Sequence, residues 1–127
     1  MKKYGYEIGM AFQIVDDILD FTGDPTKVGK PVATDLQQGL ATLPVINYMN
    51  ANPDDREMQA VLNGSKYNNN LMLSLVEKVR ASGAIEESIG EAGQFVERAI
   101  DALADMPSCQ ERQALIEVAS YIVSREL

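Results

Sequence analysis

The sequence predicts an all-α protein, a helical bundle of about six helices within a single domain over residues 1–127. Apolar residues recur at helical spacing in several segments, and no segment shows the strict alternation that is typical of a strand. Clusters of glycine, proline and polar residues separate these segments, as expected of connections between helices. A chain of 127 residues is long enough to bury a core as one domain.

The first predicted helix, over residues 3–21, carries the most informative pattern. One of its faces holds four polar residues at i, i+3, i+4 and i+7, which we call the acidic stripe: Gln13, Asp16, Asp17 and Asp20. The other faces are apolar: Met10, Ala11, Phe12, Ile14, Val15, Ile18, Leu19 and Phe21. Like charges at such spacing destabilise a helix by roughly 0.2–0.5 kcal/mol a pair. Because no Lys or Arg is mixed into the stripe, it indicates that a bound cation supplies the missing positive charge.

A long loop is predicted after this helix, over residues 24–41, with a short turn near Asp35. Ordered loops of this length tend to carry function. The loop contains Lys27 and Lys30, and Lys27 taken alone is typical of a solvated surface lysine. Carboxylates on a rigid helix followed by loop lysines are typical of a phosphate site bridged by magnesium, with lysine acting as a point charge.

Capping residues, prolines and glycines predict the remaining helices. Their expected spans are 42–50 with Thr42 as N-cap, 52–64 beginning at Asn52-Pro53, 71–82, 84–105, and a last helix that begins at a capping box of Ser108 and Glu111. Helix 84–105 presents one apolar face: Ile85, Ile89, Ala92, Val96, Ala99, Ile100 and Leu103. The last helix is expected to bury Leu115, Val118, Ala119 and Ile122. We interpret the adjacent acids Asp54 and Asp55 as a helix start and not as a second metal site.

Composition excludes several classes of protein. Nineteen acidic and 11 basic residues give a net charge of −8, which argues against a nucleic-acid surface and a polybasic membrane anchor. The absence of histidine and the single Cys109 exclude Cys/His zinc sites and Ser-His-Asp chemistry within this sequence. No stretch reaches the roughly 18 apolar residues of a membrane span, and the N-terminus is a poor signal peptide. We therefore expect a soluble cytoplasmic protein.

The stretch from Gly9 to Pro44 resembles the second aspartate-rich motif of the trans-isoprenyl (polyprenyl) diphosphate synthases. Its blocks follow that family's order: FQxxDDxxD, Gly29-Lys30-Pro31, Asp35-Leu36 and Thr42-Leu43-Pro44. The rest of the chain is similar, more loosely, to the helical C-terminal part of the same isoprenoid (terpenoid) synthase fold. The family's first aspartate-rich motif, which lies upstream, has no counterpart in this sequence. The chain is therefore expected to be the C-terminal portion of such an enzyme.

The resemblance implies a magnesium-dependent prenyltransferase of isoprenoid biosynthesis. In that family an allylic prenyl diphosphate ionises to a carbocation, isopentenyl diphosphate attacks it, and a proton is lost. Magnesium held by two aspartate-rich motifs surrounds the allylic diphosphate. By this correspondence Asp16, Asp17 and Asp20 would be the Mg²⁺ ligands. Asp16, Asp17 and Lys30 would be the residues that act in catalysis.

The same resemblance implies how the substrates are bound. Gln13 would line the diphosphate pocket, and Phe12 would form an aromatic wall. Lys30 would contact the diphosphate directly. Leu40 stands where many members of the family carry another lysine, and this difference favours a longer polyprenyl product.

Two kinds of function remain open at this point. The first is a prenyltransferase represented by its C-terminal part, and the second is a non-catalytic fragment, a pseudoenzyme, or a regulatory or structural helical subunit. With one acidic cluster, the chain alone is expected not to elongate prenyl diphosphates. The apolar flank of the first helix predicts an association, either with a second copy or with an upstream half of a synthase.

Overall fold

The computed structural model describes residues 2–22, 33–104 and 106–124, which form seven α-helices and no strand. The helices are α1 Lys2–Thr22, α2 Thr34–Gln37, α3 Leu43–Ala51, α4 Arg56–Leu62, α5 Asn69–Ala81, α6 Ala84–Asp101 and α7 Gln110–Ser124. The all-α prediction is confirmed. The helix beyond the six expected is the four-residue α2, which forms at the turn predicted near Asp35. Across the described ranges, no helix has the length and apolar character needed to cross a membrane.

Contacts divide the chain into two compact units. Unit 1 comprises Met1–Asp16 with Ile89–Leu127, and unit 2 comprises Asp17–Ser88. The division falls within α1 and within α6, so each of these helices contributes residues to both units. The single domain predicted over residues 1–127 stays a prediction.

Unit 1 is built on the N-terminal half of α1 and on α6 and α7. Its core residues are Tyr4, Ala11, Ile14, Val15, Ala92, Val96, Ala99, Leu103, Ala119 and Ile122. The Tyr4 hydroxyl donates to the Leu115 carbonyl at 2.7 Å. The buried Glu7 carboxylate accepts from Arg98 Nε at 3.2 Å, so this buried charge is paired. The guanidinium of Arg98 also lies 4.3 Å from the centroid of the Phe95 ring.

The predicted faces of the last two helices are confirmed with one exception. Within the apolar face of α6, Ile89 and Ile100 are half-buried and the other predicted positions are buried. On α7, Ala119 and Ile122 are buried and Leu115 is half-buried. Val118 is 51% exposed, so its predicted burial is wrong. The apolar stripe of α7 is narrower than its sequence indicates.

Unit 2 packs the C-terminal end of α1 with α2 to α5 and the first residues of α6. Its largest buried side chains are Ile18, Phe21, Leu36, Pro44, Val45, Met58, Leu75 and Val79. A polar pair lies inside this core, because Asn47 Nδ2 donates to Ser88 Oγ at 3.0 Å. The Ser88 hydroxyl in turn donates to the Ala84 carbonyl at 2.8 Å. Buried polar groups of this kind are tolerated because they are hydrogen-bonded.

Helix starts in unit 2 correct one of the capping predictions and refine another. Asn52 does not open α4 but closes α3, where its backbone N–H donates to the Tyr48 carbonyl. Asp55 is the true N-cap of α4, since its carboxylate accepts from the Met58 N–H at 3.0 Å. Thr42 stands at the N-cap position of α3 as predicted, but its side chain makes no capping hydrogen bond.

The last helix also begins later than its capping box predicts. Helix α7 starts at Gln110, directly after Cys109, and not after Ser108. The Gln113 N–H donates to the Cys109 carbonyl at 3.1 Å, which closes the first helical turn. The N-cap position is therefore Cys109, one residue later than the predicted Ser108.

Candidate functional site

The acidic stripe lies on one continuous helix, as its spacing predicts. Gln13 and Asp16 are exposed, and Asp17 and Asp20 are half-buried. The core side of the same helix is buried at Ala11, Ile14, Val15, Ile18 and Phe21. The three aspartates therefore lie on the side of α1 that faces away from its buried residues.

Two residues of the predicted long loop form hydrogen bonds with Asp20 of α1. The Ala33 N–H donates to the Asp20 carbonyl at 2.8 Å, and the Asp35 N–H donates to Asp20 Oδ2 at 3.3 Å. Ala33 is buried with a φ of +57°, a left-handed conformation that is uncommon for a residue other than glycine. These two hydrogen bonds bring the Asp35-Leu36 block next to the last aspartate of the stripe.

The start of α2 lies where residues 33–36 meet Asp20, and we call this meeting point the corner. Leu36 is buried, and the Gly39 and Leu40 N–H groups donate to the carbonyls of Leu36 and Asp35. Gly39 has a φ of +78°, which favours glycine, and an added Cβ would meet the carbonyl oxygens of Val61 and Leu62 at 3.6 and 3.7 Å. Leu40, at the position discussed for product length, is 51% exposed.

The C-terminal end of α1 is held by a residue that sequence analysis missed. Arg80 of α5 donates from Nε to the Phe21 carbonyl at 2.7 Å. A cation near a helix C-terminus is stabilising. The last turn of α1 contains no Lys or Arg, and this was the one signal in the sequence that a basic residue from another helix binds there.

The remaining predicted site residues stand as follows. Phe12 is 43% exposed and adjoins the exposed Gln13. Lys30 lies outside the described residues, as does Lys27, so their predicted roles stay predictions.

The donor set of the stripe fits a site for a hard divalent cation that a ligand completes. In residues 2–22, 33–104 and 106–124, no three acidic or cysteine side chains are grouped closely enough to hold a metal ion. Magnesium requires only one or two carboxylates when water and substrate phosphate supply the other oxygens. The three aspartates do not form an all-protein cage in the described residues, and their role as Mg²⁺ ligands together with a phosphate stays a prediction.

A polar cleft of about 590 Å³ lies elsewhere in unit 2, beside the second acidic pair. Its wall includes Tyr48, Asp54, Asp55 and Lys78. Tyr48 donates to the Asp55 carboxylate, and burial together with that carboxylate raises the pKa of Tyr48 to about 12. Burial alone would raise the pKa of Asp55, but Tyr48, the Met58 N–H and Lys78 together hold it below its usual range. These contacts support the interpretation of Asp55 as structural.

Comparison with known proteins identifies the class. Residues 1–79 match the family model of the polyprenyl synthetases. This match covers more than half of the 127 residues, so the chain belongs to the polyprenyl synthetase family. The match includes the acidic stripe and the Asp35-Leu36 block.

Individual relatives agree with this assignment. The chain is 36% identical to heptaprenyl diphosphate synthase component 2 of Bacillus subtilis over 123 residues, which is 97% of this chain and 35% of the relative. It is 32% identical to octaprenyl diphosphate synthase of Escherichia coli over 127 residues, 99% of this chain and 39% of the relative. The chain therefore spans a little over a third of these relatives and corresponds to their C-terminal part.

Solved structures show the same architecture. Heptaprenyl diphosphate synthase from Staphylococcus aureus matches with a TM-score of 0.87 and 30% identity, covering 99% of this chain and 39% of that one. A polyprenyl synthase from Caulobacter crescentus, crystallised with calcium and isoprenyl diphosphate, matches with a TM-score of 0.85 and 30% identity, covering 98% and 39%. The predicted isoprenoid synthase fold is confirmed.

Proposed function

We propose that this chain supplies the second aspartate-rich, diphosphate-binding motif of a polyprenyl diphosphate synthase. The reaction would be the magnesium-dependent transfer of an allylic prenyl group to isopentenyl diphosphate. The observation that carries the proposal is the corner at Asp20, where the acidic stripe meets the backbone of Asp35. It brings two separate blocks of the family motif together in space, and the relatives named above are prenyl diphosphate synthases.

The aspartates would act through charge. Asp16, Asp17 and Asp20 would hold Mg²⁺ together with oxygens of the allylic diphosphate. Bound magnesium would stabilise the negative charge that develops on the departing diphosphate. Lys30 would add a point charge to the same phosphate oxygens. Because no histidine is present, the role of this chain would be electrostatic and not proton transfer by imidazole.

The exposed residues at the start of the stripe would bind the substrate. Gln13 would contact the diphosphate end, and Phe12 would line the path of the prenyl chain. Both side chains are exposed in the structure. The exposed Leu40 would favour a longer product, because an apolar side chain replaces a cation at that position.

Partners are part of the proposal. Tyr6 and Phe12, on the exposed side of α1, are 63% and 43% exposed. Exposed apolar side chains mark an interface where they form a contiguous patch. We infer that α1 associates with a second copy of the chain or with an upstream half of a synthase, in the cytoplasm. Adding a separately produced upstream half should then restore prenyl transfer that the chain alone does not perform.

Calorimetry with Mg²⁺ and inorganic diphosphate tests the site directly. We expect the double variant Asp16→Asn plus Asp20→Asn to bind magnesium diphosphate at least about tenfold more weakly than the parent, because charged ligands are lost. Asparagine keeps an oxygen that accepts the Asp35 N–H, so the corner itself is retained. The matched control is Glu86→Gln plus Glu97→Gln, two exposed acids on α6, which changes the net charge equally. Equal binding by both double variants would refute the site.

A further inference from the structure

We infer that Arg80 is a positioning residue for the acidic stripe. It acts by capping the C-terminal end of α1, through the hydrogen bond from Nε to the Phe21 carbonyl at 2.7 Å. This inference rests on the proposed function of the aspartates. Arg80 belongs to α5 and stands 59 residues away from Phe21 in sequence, outside the aspartate-rich motif and just beyond the residues that match the family model.

The end of α1 needs such a partner. The last four carbonyls of a helix have no partner within the helix, and α1 ends at Thr22. Of these, the Asp20 carbonyl accepts from Ala33 and the Phe21 carbonyl accepts from Arg80. Phe21 is fully buried and the hydrogen bond at its carbonyl is part-buried, so leaving this carbonyl without a donor would cost more than it would on an open surface.

The cap adjoins the carboxylate that closes the motif. Phe21 directly follows Asp20, whose carboxylate accepts the Asp35 N–H. Two adjacent peptide units of α1 are thus fixed by two separate segments of unit 2. If the Arg80 contact is removed, the last helical turn frays, and Asp20 loses its fixed orientation relative to Asp17 one turn earlier. Groups that orient metal ligands affect affinity without touching the metal.

We take the hydrogen bond from Nε to the Phe21 carbonyl as the active feature, and the variants below separate it from the net charge of Arg80. The bond leaves from Nε, while the outer nitrogen Nη1 lies 3.5 Å from Glu77 Oε1. Glu77 is largely exposed, so this ion pair is weak. A glutamine at this position carries its amide nitrogen the same number of bonds from Cα as Nε of arginine. Arg80→Gln therefore keeps the donor and removes the charge, whereas Arg80→Met removes both.

The test measures magnesium diphosphate binding by calorimetry on the 127-residue chain, with each variant well below its unfolding temperature. We expect Arg80→Met to weaken binding about tenfold, which is the lower end of the roughly 10–100-fold loss seen when groups that orient metal ligands are mutated. Arg80→Gln should bind within about twofold of the parent, and the control Glu77→Gln should be unchanged, because both retain the donor. Amide exchange in the last turn of α1 should accelerate in Arg80→Met and not in Arg80→Gln.

Each result decides the inference. Parent-like binding by Arg80→Met would overturn it, and so would equal weakening by Arg80→Met and Arg80→Gln, which would make charge the cause. If Arg80→Met fails to fold, Arg80→Gln decides alone, with weak binding overturning the inference. A failure of the proposed function is distinguishable, because then the parent itself would not bind, or the Asp16→Asn plus Asp20→Asn variant would bind as tightly as the parent.

Discussion

The chain contains two pairs of adjacent aspartates, Asp16-Asp17 and Asp54-Asp55. The first pair lies in the interior of a helix, and the second lies at the start of one. Asp55 stands at a helix start, where its carboxylate caps α4 and binds Tyr48, and Lys78 Nζ lies 3.6 Å away. Asp16 and Asp17 stand inside α1, more than one turn from its end at Thr22. A carboxylate there cannot cap the helix, and it gains nothing from the helix dipole, whose effect is confined to the terminal turns.

The difference teaches how position separates structural acids from candidate functional acids. An acid at a helix N-terminus is explained by the backbone donors that it satisfies. An acid beside other acids in a helix interior costs stability through like-charge repulsion, and a cationic ligand for such acids is our prediction.

The largest effect is expected for Asp55→Ala. This change removes the cap of α4 and leaves the Tyr48 hydroxyl without its acceptor. We expect the free energy of unfolding to fall by about 3 kcal/mol, the sum of a lost N-cap and an unsatisfied buried hydroxyl. Urea denaturation followed by circular dichroism measures it, with Asp54→Ala as the neighbouring control. A loss no larger than that of the exposed Asp54 would contradict the structural role of Asp55.

A smaller effect is expected for Tyr48→Phe, about 1 kcal/mol for one hydrogen bond. Its pH dependence is more specific. The pKa of Tyr48 is raised to about 12 in the folded protein, so its contribution is complete below the unfolded pKa near 10 and is lost as pH rises towards about 12. The difference in unfolding free energy between parent and Tyr48→Phe should therefore shrink across this range. A constant difference would show that the hydroxyl is not held by Asp55.

The acid side gives the complementary prediction. The pKa of Asp55 is lowered in the folded protein, so its contribution is present above the unfolded pKa of about 4 and is lost as pH falls below it. Lowering the pH should therefore destabilise the parent more than Asp55→Ala. Parallel pH profiles for the two proteins would contradict the lowered pKa.

Features that depend on residues close together in sequence could be predicted, whereas contacts between residues far apart in sequence could not. The acidic stripe and the helical face of α6 depend on local spacing, and both are confirmed as helical faces. The Asp20–Asp35 and Arg80–Phe21 contacts join residues 15 and 59 positions apart, and spacing alone does not reveal them. Asn52-Pro53 is a good local helix start, yet Asp55 takes the cap because Tyr48 from α3 binds it. Val118 is exposed because burial on α7 depends on neighbours that periodicity does not specify.

Among these single variants, we expect Asp17→Ala to change the free energy of unfolding least and to weaken binding of magnesium diphosphate most. Replacing Asp17 by alanine removes like-charge repulsion and introduces a better helix former, so we expect it to lower the free energy of unfolding less than Asp55→Ala, which removes the cap of α4. Asp17→Ala and Asp55→Ala therefore form a matched pair, one acid from each aspartate pair, with the same loss of charge.

The most direct test of the contrast is the rise in unfolding temperature on adding magnesium and inorganic diphosphate to these two variants. A ligand that binds only the folded state stabilises it by RT ln(1 + [L]/Kd). We predict that Asp55→Ala, although less stable without ligand, keeps the rise of the parent, and that Asp17→Ala loses it. A rise retained by Asp17→Ala and lost by Asp55→Ala would contradict the assignment of the acidic stripe as the diphosphate site.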